Sequence, residues 1–197
     1  MKYIIDCGHG GIDPRTGKYT DTAIKVRQAV VNGKTYYEGV INRTIGGMLA
    51  HLLEWAGHEV IFTVHPNDHR DISLSHRVRV ANQHPDGVFV SIHCNGFNGL
   101  ARGFEIWTSV GNTSSDRRAQ NIYNEVKKLS RPFGLKMRFD NSDGDSDKEK
   151  DYYVVKKTKG EAVLVECFFY DNAQDIALYE NKEFIQKFVS ALYEGLI

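Results

Sequence analysis

The stretch VFVSIHCNG (88–96) decides how the rest of the chain is read. Four of its first five side chains are apolar and do not alternate with polar ones, the pattern of a strand buried on both faces. It then breaks at His93, followed by Cys94, Asn95 and Gly96. A strand covered on both sides belongs to a mostly parallel sheet, and in such sheets ligands bind at the carboxyl ends of the strands. His93 is therefore delivered to the edge where chemistry is expected.

Two more strands end in the same way. KYIIDC (2–7) is followed at once by GHGG, which places His9 just past its end, and AVLVECFF (162–169) carries Glu166 after four apolar residues. HEVIFTV (58–64) and the alternating GFEIWTS (103–109) supply further strands. Val40, Ile41, Ile45, Met48, Leu49, Leu52 and Leu53 recur at helical spacing, so a helix runs from Glu38 to Trp55 and stops at Gly57. Ser73 caps a helix to about Gln83, Ser114 and Ser115 open another through Leu129, and two helical segments close the chain.

Residues 12–36 lack clean periodicity and read as loop. RFDNSDGDSDKEKD (138–151) is almost wholly polar and reads as an exposed loop bordering the substrate. Its acidic run does not follow a calcium loop, because Gly144 is misplaced relative to Asp143, Asp145 and Asp147. Strands alternating with helices predict the α/β class: a single domain over 1–197, with a mostly parallel twisted sheet flanked by helices.

Composition narrows the function classes. Lys+Arg and Asp+Glu are equal at 25 each, so no net field draws the chain to nucleic acid or anionic lipid. No apolar run approaches the roughly 20 residues that span a bilayer. MKYIIDCGHGG lacks the long apolar segment of a signal peptide, so synthesis without an export signal and residence in the cytoplasm are expected. The three cysteines, Cys7, Cys94 and Cys167, form an odd set that suits a reduced compartment. Nothing suggests an obligate dimer, and a monomer is expected.

If the sheet is parallel, His9, His93 and Glu166 share one edge, with Glu38 nearby at the start of the first long helix. Each has an ordinary explanation when taken alone. A lone buried histidine is commonly a core or turn residue, and a glutamate at a helix N-terminus is favoured by the macrodipole. Glu166 is harder to dismiss, since a carboxylate between Val165 and Cys167 in an apolar strand is costly unless it has a partner or a task. Together, two histidines and one or two glutamates suit a catalytic zinc site with two imidazoles, one carboxylate and an open position. No CxxC knuckle supports a structural zinc instead. Cys94 and Cys167 should point away from His93 and Glu166, whereas Cys7 shares parity with His9 and is either a small core residue or a neighbour of the metal. Histidines 51, 58, 65, 69, 76 and 84 read as surface or boundary residues.

Four blocks in order, IIDCGHGG (4–11), YYEGVINRTIGGMLAHLLEWAGHEVIFT (36–63), LSHRVRVAN (74–82) with VFVSIHCN (88–95), and AVLVECFFYDNAQD (162–175), resemble the zinc-dependent N-acetylmuramoyl-L-alanine amidases of the amidase 3 type. The resemblance covers nearly the whole chain. It implies cleavage of the amide between N-acetylmuramic acid and the first L-alanine of peptidoglycan, with one zinc ion per chain. Carried over by position, it makes His9, Glu38 and His93 the zinc ligands and Glu166 the catalytic carboxylate. The chain departs from the family pattern at Cys7, where proline is usual, and at Cys94, where a small residue such as alanine is common. The His9–Glu38 interval is long, and TVHPND (63–68) lacks the usual arginine after the second strand. A lone catalytic domain of this kind resembles a phage or prophage endolysin, with a bacterial autolysin as the alternative setting. The rival functions are a non-catalytic peptidoglycan-binding module and a zinc hydrolase of another cell-wall amide.

Overall fold

The computed structural model describes residues 1–22, 27–142 and 144–197. Residues 23–26, within the expected 12–36 loop, and Asp143 of the acidic run lie outside the described residues. In chain order the elements are β1 (Lys2–Cys7), β2 (Gln28–Val31), β3 (Lys34–Tyr37), α1 (Glu38–Trp55), β4 (Glu59–Phe62), α2 (Leu74–Ala81), β5 (Val88–Asn95), β6 (Glu105–Thr108), α3 (Ser114–Lys127), α4 (Ser130–Phe133), β7 (Lys148–Glu149), α5 (Tyr153–Lys157), β8 (Glu161–Phe169), α6 (Ala173–Glu180) and α7 (Lys182–Leu196).

Six strands form one sheet in the order β4-β1-β5-β8-β6-β7. β4, β1, β5 and β8 run parallel, while β6 is antiparallel to β8 and carries the two-residue β7 at its outer edge. The sheet is therefore mostly parallel and lies between two helical layers, a single α/β domain. One face packs against α1, α3 and α7 in a cluster that includes Ile5, Ile45, Leu49, Ile92, Ile122, Phe184 and Phe188. The other face packs against α2 and α5 through Ile4, Val78, Phe89, Val154, Val155 and Leu164. This explains the near-continuous apolar runs, since β1, β5 and β8 are buried from both sides. Among the described residues no helix is long and apolar enough to cross a membrane.

Helix α1 begins and ends where its periodicity predicts, and Ser73 caps α2 by accepting from the His76 amide at 3.2 Å. α3 begins at Ser114 as expected, capped by Thr113, whose hydroxyl and backbone pair with the N-terminal turn and with Asp116, and it ends at Lys127, two residues short of the expected Leu129. Two loop expectations are corrected. From residue 28 the expected 12–36 loop instead forms the antiparallel hairpin β2–β3, which runs on to Tyr37 and is closed by Asn32 and Gly33, both at positive φ (51° and 79°). The turn chemistry was present as Asn-Gly, but short, half-exposed strands hid the alternation. Within 138–151, Lys148 and Glu149 pair with β6 and Asp147 is only 2% exposed, so that segment is not wholly solvated.

Candidate active site

Parallel pairing sets the geometry of the site. His93 on β5 lies in register with Glu166 on β8, and Glu166 lies in register with Glu105 on β6. These three side chains form a row across the carboxyl edge of the sheet. β1 ends beside them, and the chain turns through Gly8, His9 and Gly10 with His9 at φ 61°, an uncommon conformation for a residue with a Cβ. A Cβ at Gly8 would lie 2.3 Å from the His93 ring, so only glycine lets the loop pass there. Glu38, the first residue of α1, is 4% exposed and reaches both imidazoles.

Glu38 Oε1 stands 3.3 Å from His9 Nε2 and 3.0 Å from His93 Nδ1, and the two rings are 5.0 Å apart in an edge-to-face arrangement. Among the described residues these three are the group able to hold a metal ion, with their ligand atoms all within 4.8 Å of one another. Burial tends to raise the Glu38 carboxyl, but the two adjacent imidazoles outweigh it and hold the group ionised. Burial lowers His93, which keeps that ring neutral despite Glu38. Two imidazoles and an ionised carboxylate are a donor set that suits a catalytic zinc ion. On the far side of His9, Asp21 Oδ1 stands 3.8 Å from Nδ1, the position of a carboxylate that steadies a ligating histidine.

Glu166 stands across the same cleft, which encloses about 310 Å³ and is also lined by Arg27, Leu74, Asn95, Tyr152, Tyr153 and Tyr170. Its Oε2 is buried with no hydrogen-bond partner among the described residues. Burial, then the Glu38 and Glu105 carboxylates, push the Glu166 carboxyl well above the usual range. Glu105 is the contrasting neighbour, held low because Lys148 (2.8 Å), Arg138 (2.7 Å) and Asn95 (2.7 Å) satisfy it against the cost of burial. The four residues singled out from the sequence thus meet in one cleft. Cys7 does not: it faces α1, where a Cβ on Gly46 would lie 2.7 Å from its sulfur, and burial pushes its thiol up to about 12. Cys94 and Cys167 are buried against each other in the same core.

Sequence reasoning missed the groups that hold the site together. Arg43, 7% exposed, donates through Nη1 to the carbonyls of His9 (2.8 Å), Gly10 (2.9 Å) and Gly39 (3.1 Å), and through Nε and Nη2 to those of Asp68 and Arg70. Asn42 donates to the Gly8 carbonyl at 3.1 Å. One turn of α1 therefore clamps the loop that carries His9. Beneath it Asp6 accepts from Arg77 (2.6 Å), Ser91 (2.6 Å) and Thr63, and Arg77 also donates to the Cys7 carbonyl at 2.7 Å. The available signals were the polar Asn42-Arg43 pair inside an amphipathic helix and an aspartate inside an apolar strand.

Comparison with known proteins agrees with this architecture. A solved N-acetylmuramoyl-L-alanine amidase from Clostridium difficile 630 superposes with a TM-score of 0.79 at 23% identity, covering 99% of this chain and 94% of that one. The solved amidase Ami1 from Mycobacterium smegmatis gives 0.78 at 20% identity, over 100% and 94%. An uncharacterized cell wall amidase of Bacillus anthracis is 28% identical over 203 residues, which cover 98% of this chain and 34% of the relative. The chain thus spans about a third of the length of that curated relative. Residues 4–197 match the family described as N-acetylmuramoyl-L-alanine amidase, and the chain belongs to that family.

Proposed function

We propose that the chain hydrolyses the amide between N-acetylmuramic acid and the first L-alanine of peptidoglycan, with one zinc ion held by His9, Glu38 and His93 and with Glu166 as the catalytic carboxylate. The observation that carries this reading is the ligand triad facing a buried, unpartnered Glu166 oxygen across one cleft. Membership of the family and the words "cell wall amidase" in the relative's name support the choice of substrate.

Zinc, when bound, supplies a Lewis acid that makes water nucleophilic near neutral pH and draws charge from a carbonyl oxygen. The protein's own groups do the rest. Glu166 accepts the proton of the attacking water and delivers it to the departing alanine nitrogen, so the C–N bond breaks as a neutral amine forms. Its raised affinity for protons fits both halves of that transfer. His93 stays neutral, and Asp21 and Arg43 keep His9 in place. Tyr170, whose hydroxyl is pushed up to about 12 chiefly by burial, remains a hydrogen-bond donor on the cleft wall. All four principal residues come from one chain, so the active unit proposed is a monomer acting at the cell wall, as an endolysin or an autolysin does.

The test is release of new alanine amino termini from purified peptidoglycan by the protein as prepared, after chelation, and after zinc is restored. Appearance, loss and recovery in that order support the proposal. Zinc binding without any new termini would point to a peptidoglycan-binding module instead, and termini other than alanine would point to another wall amide.

A further inference from the structure

The proposed hydrolysis leaves unused a concentration of positive charge on the α3–α4 side of the molecule. KKLSRPFGLKMR (127–138) carries Lys127, Lys128, Arg131, Lys136 and Arg138 and no carboxylate, in a chain whose charges balance overall. The run folds around a groove of about 600 Å³, whose walls include Tyr123, Lys127, Lys128, Arg131, Lys136 and Phe139. All four of those cations are exposed. Tyr123 is 1% exposed and meets Phe139 edge to face at 6.4 Å between ring centroids, and Lys127 Nζ lies 5.9 Å from the centre of the Tyr123 ring.

Among the described residues Lys127, Arg131 and Lys136 make no ion pair, whereas Lys128 pairs with Glu125 and Arg138 with Glu105. A groove lined by one sign of charge concentrates ions of the other sign. Arg131 offers a planar fork and the lysines offer point charges, a combination that suits phosphate oxygens. The cations stand on α3, on α4 and beyond it, so they match several negative charges spaced along a chain better than one small anion. Single-stranded nucleic acid would need open aromatic faces for stacking, and here Tyr123 is covered and Phe139 alone is exposed, at 55%. A membrane surface would need protruding apolar side chains rather than a recess. The groove also reaches the edge of the sheet that carries the catalytic row. Met137 bridges to Phe104, just before β6, and Arg138 bonds Glu105, which lies in register with Glu166. We infer that this groove binds a phosphodiester polymer of the cell wall, a polyol phosphate chain, and so tethers the protein beside its substrate. Membership of the amidase family supports the choice of a wall polymer.

The experiment is binding of fluorescently labelled poly(glycerol phosphate) to the zinc-loaded full chain, followed by polarisation over a series of salt concentrations. The expected result is saturable binding whose affinity falls with salt at a log–log slope of about −2 to −3, as for three or four cations each releasing about 0.7 of a counterion. Replacing Lys127, Arg131 and Lys136 together by Gln should weaken binding by about tenfold or more and flatten that slope. Replacing Lys156, Lys157 and Lys159 by Gln removes the same charge at and after α5, on the opposite face of the sheet, and should leave affinity within about twofold. All six side chains are exposed, so both variants should keep the wild-type melting temperature. Should the groove triple fail to fold, Lys136→Gln alone carries the test, with a loss of about threefold to fivefold. No binding, or an equal loss in the two triples, would overturn the inference. Tighter binding to single-stranded DNA or to phosphatidylglycerol vesicles would overturn it in favour of a nucleic acid or a membrane. No outcome depends on amidase turnover, so failure here leaves the proposed hydrolysis standing.

Discussion

Asp6 and Glu166 are both carboxylates with buried oxygens in strands of one sheet, and their surroundings are opposite. Asp6 is 1% exposed, and both its oxygens accept hydrogen bonds, from Arg77 and Thr63 on one and Ser91 on the other. Although burial works against it, those partners hold the Asp6 carboxyl below its usual range. Glu166 has a buried oxygen without a partner and two acidic neighbours, and its carboxyl is held high. The same side-chain chemistry is thus locked in one place and left reactive in the other. Removing the locked group should damage the fold, and removing the reactive one should damage turnover alone.

The largest effect is expected at Glu166. Glu166→Gln keeps the shape and removes the proton acceptor, so turnover should fall by about 10²–10⁴-fold. Stability should hold or rise, because an unpaired buried acid has been replaced by a neutral group. Peptidoglycan hydrolysis and denaturant unfolding of the same preparation read the two quantities. A folded variant with undiminished turnover would remove Glu166 from the mechanism.

Asp6→Asn tests the other arm. It leaves Arg77, only 2% exposed, without its charged partner, and should cost about 3–5 kcal/mol of unfolding free energy. The sign with pH follows from the lowered carboxyl. The Asp6 contribution is present above the unfolded-state value near 4 and is lost as pH falls through the lower folded value. Wild type should therefore lose, below about pH 4, a stabilising increment that the variant never had. Loss of turnover in a variant of unchanged stability would break the distinction between the two acids.

Arg43 lies between these extremes, since it is fully bonded yet acts on a ligand. Arg43→Lys replaces a planar fork with a point charge and cannot serve the carbonyls of His9, Gly10 and Gly39 together. Zinc affinity measured against a competing chelator should drop by about 10–100-fold. An unchanged affinity would make Arg43 a prop for the loops around Asp68 and Arg70 rather than for His9.

How far these roles were legible in the sequence follows from the same contrast. Glu166, His93 and His9 stood out because each interrupts or ends an apolar run, and the parallel sheet then had to place them on one edge. Glu38 was weaker evidence alone and became strong through the resemblance. Arg43 and Asn42 left little trace, because their partners are backbone carbonyls, which carry no sequence signature. Asp6 was hidden for another reason: its partner Arg77 is 71 residues away on α2, and no local spacing links the two. The hairpin β2–β3 did carry a local signal, Asn32-Gly33, but its strands are four residues each and half exposed, too short for alternation to show.

That hairpin supplies the smallest predicted effect and the sharpest limit on the comparison. Its second strand ends at Tyr37, directly before Glu38, and the Glu38 amide donates to the Arg27 carbonyl at 3.0 Å. If the ligand were positioned by the hairpin, loosening the turn would weaken the metal site. If it is positioned by α1 and the two imidazoles, it would not. Gly33 has φ 79°, and a Cβ there would meet nothing within 4 Å, so Gly33→Ala strains the backbone without a clash. A side chain in that conformation costs about 1 kcal/mol, which chemical denaturation should register. Zinc affinity should stay within about twofold of wild type, since Glu38 remains fixed by the first turn of α1 and by its contacts to His9 and His93. A larger fall would mean that the long interval between His9 and Glu38 works as part of the metal site, and Glu38 would then depend on a surface hairpin in a way that Asp6, locked within the sheet, does not.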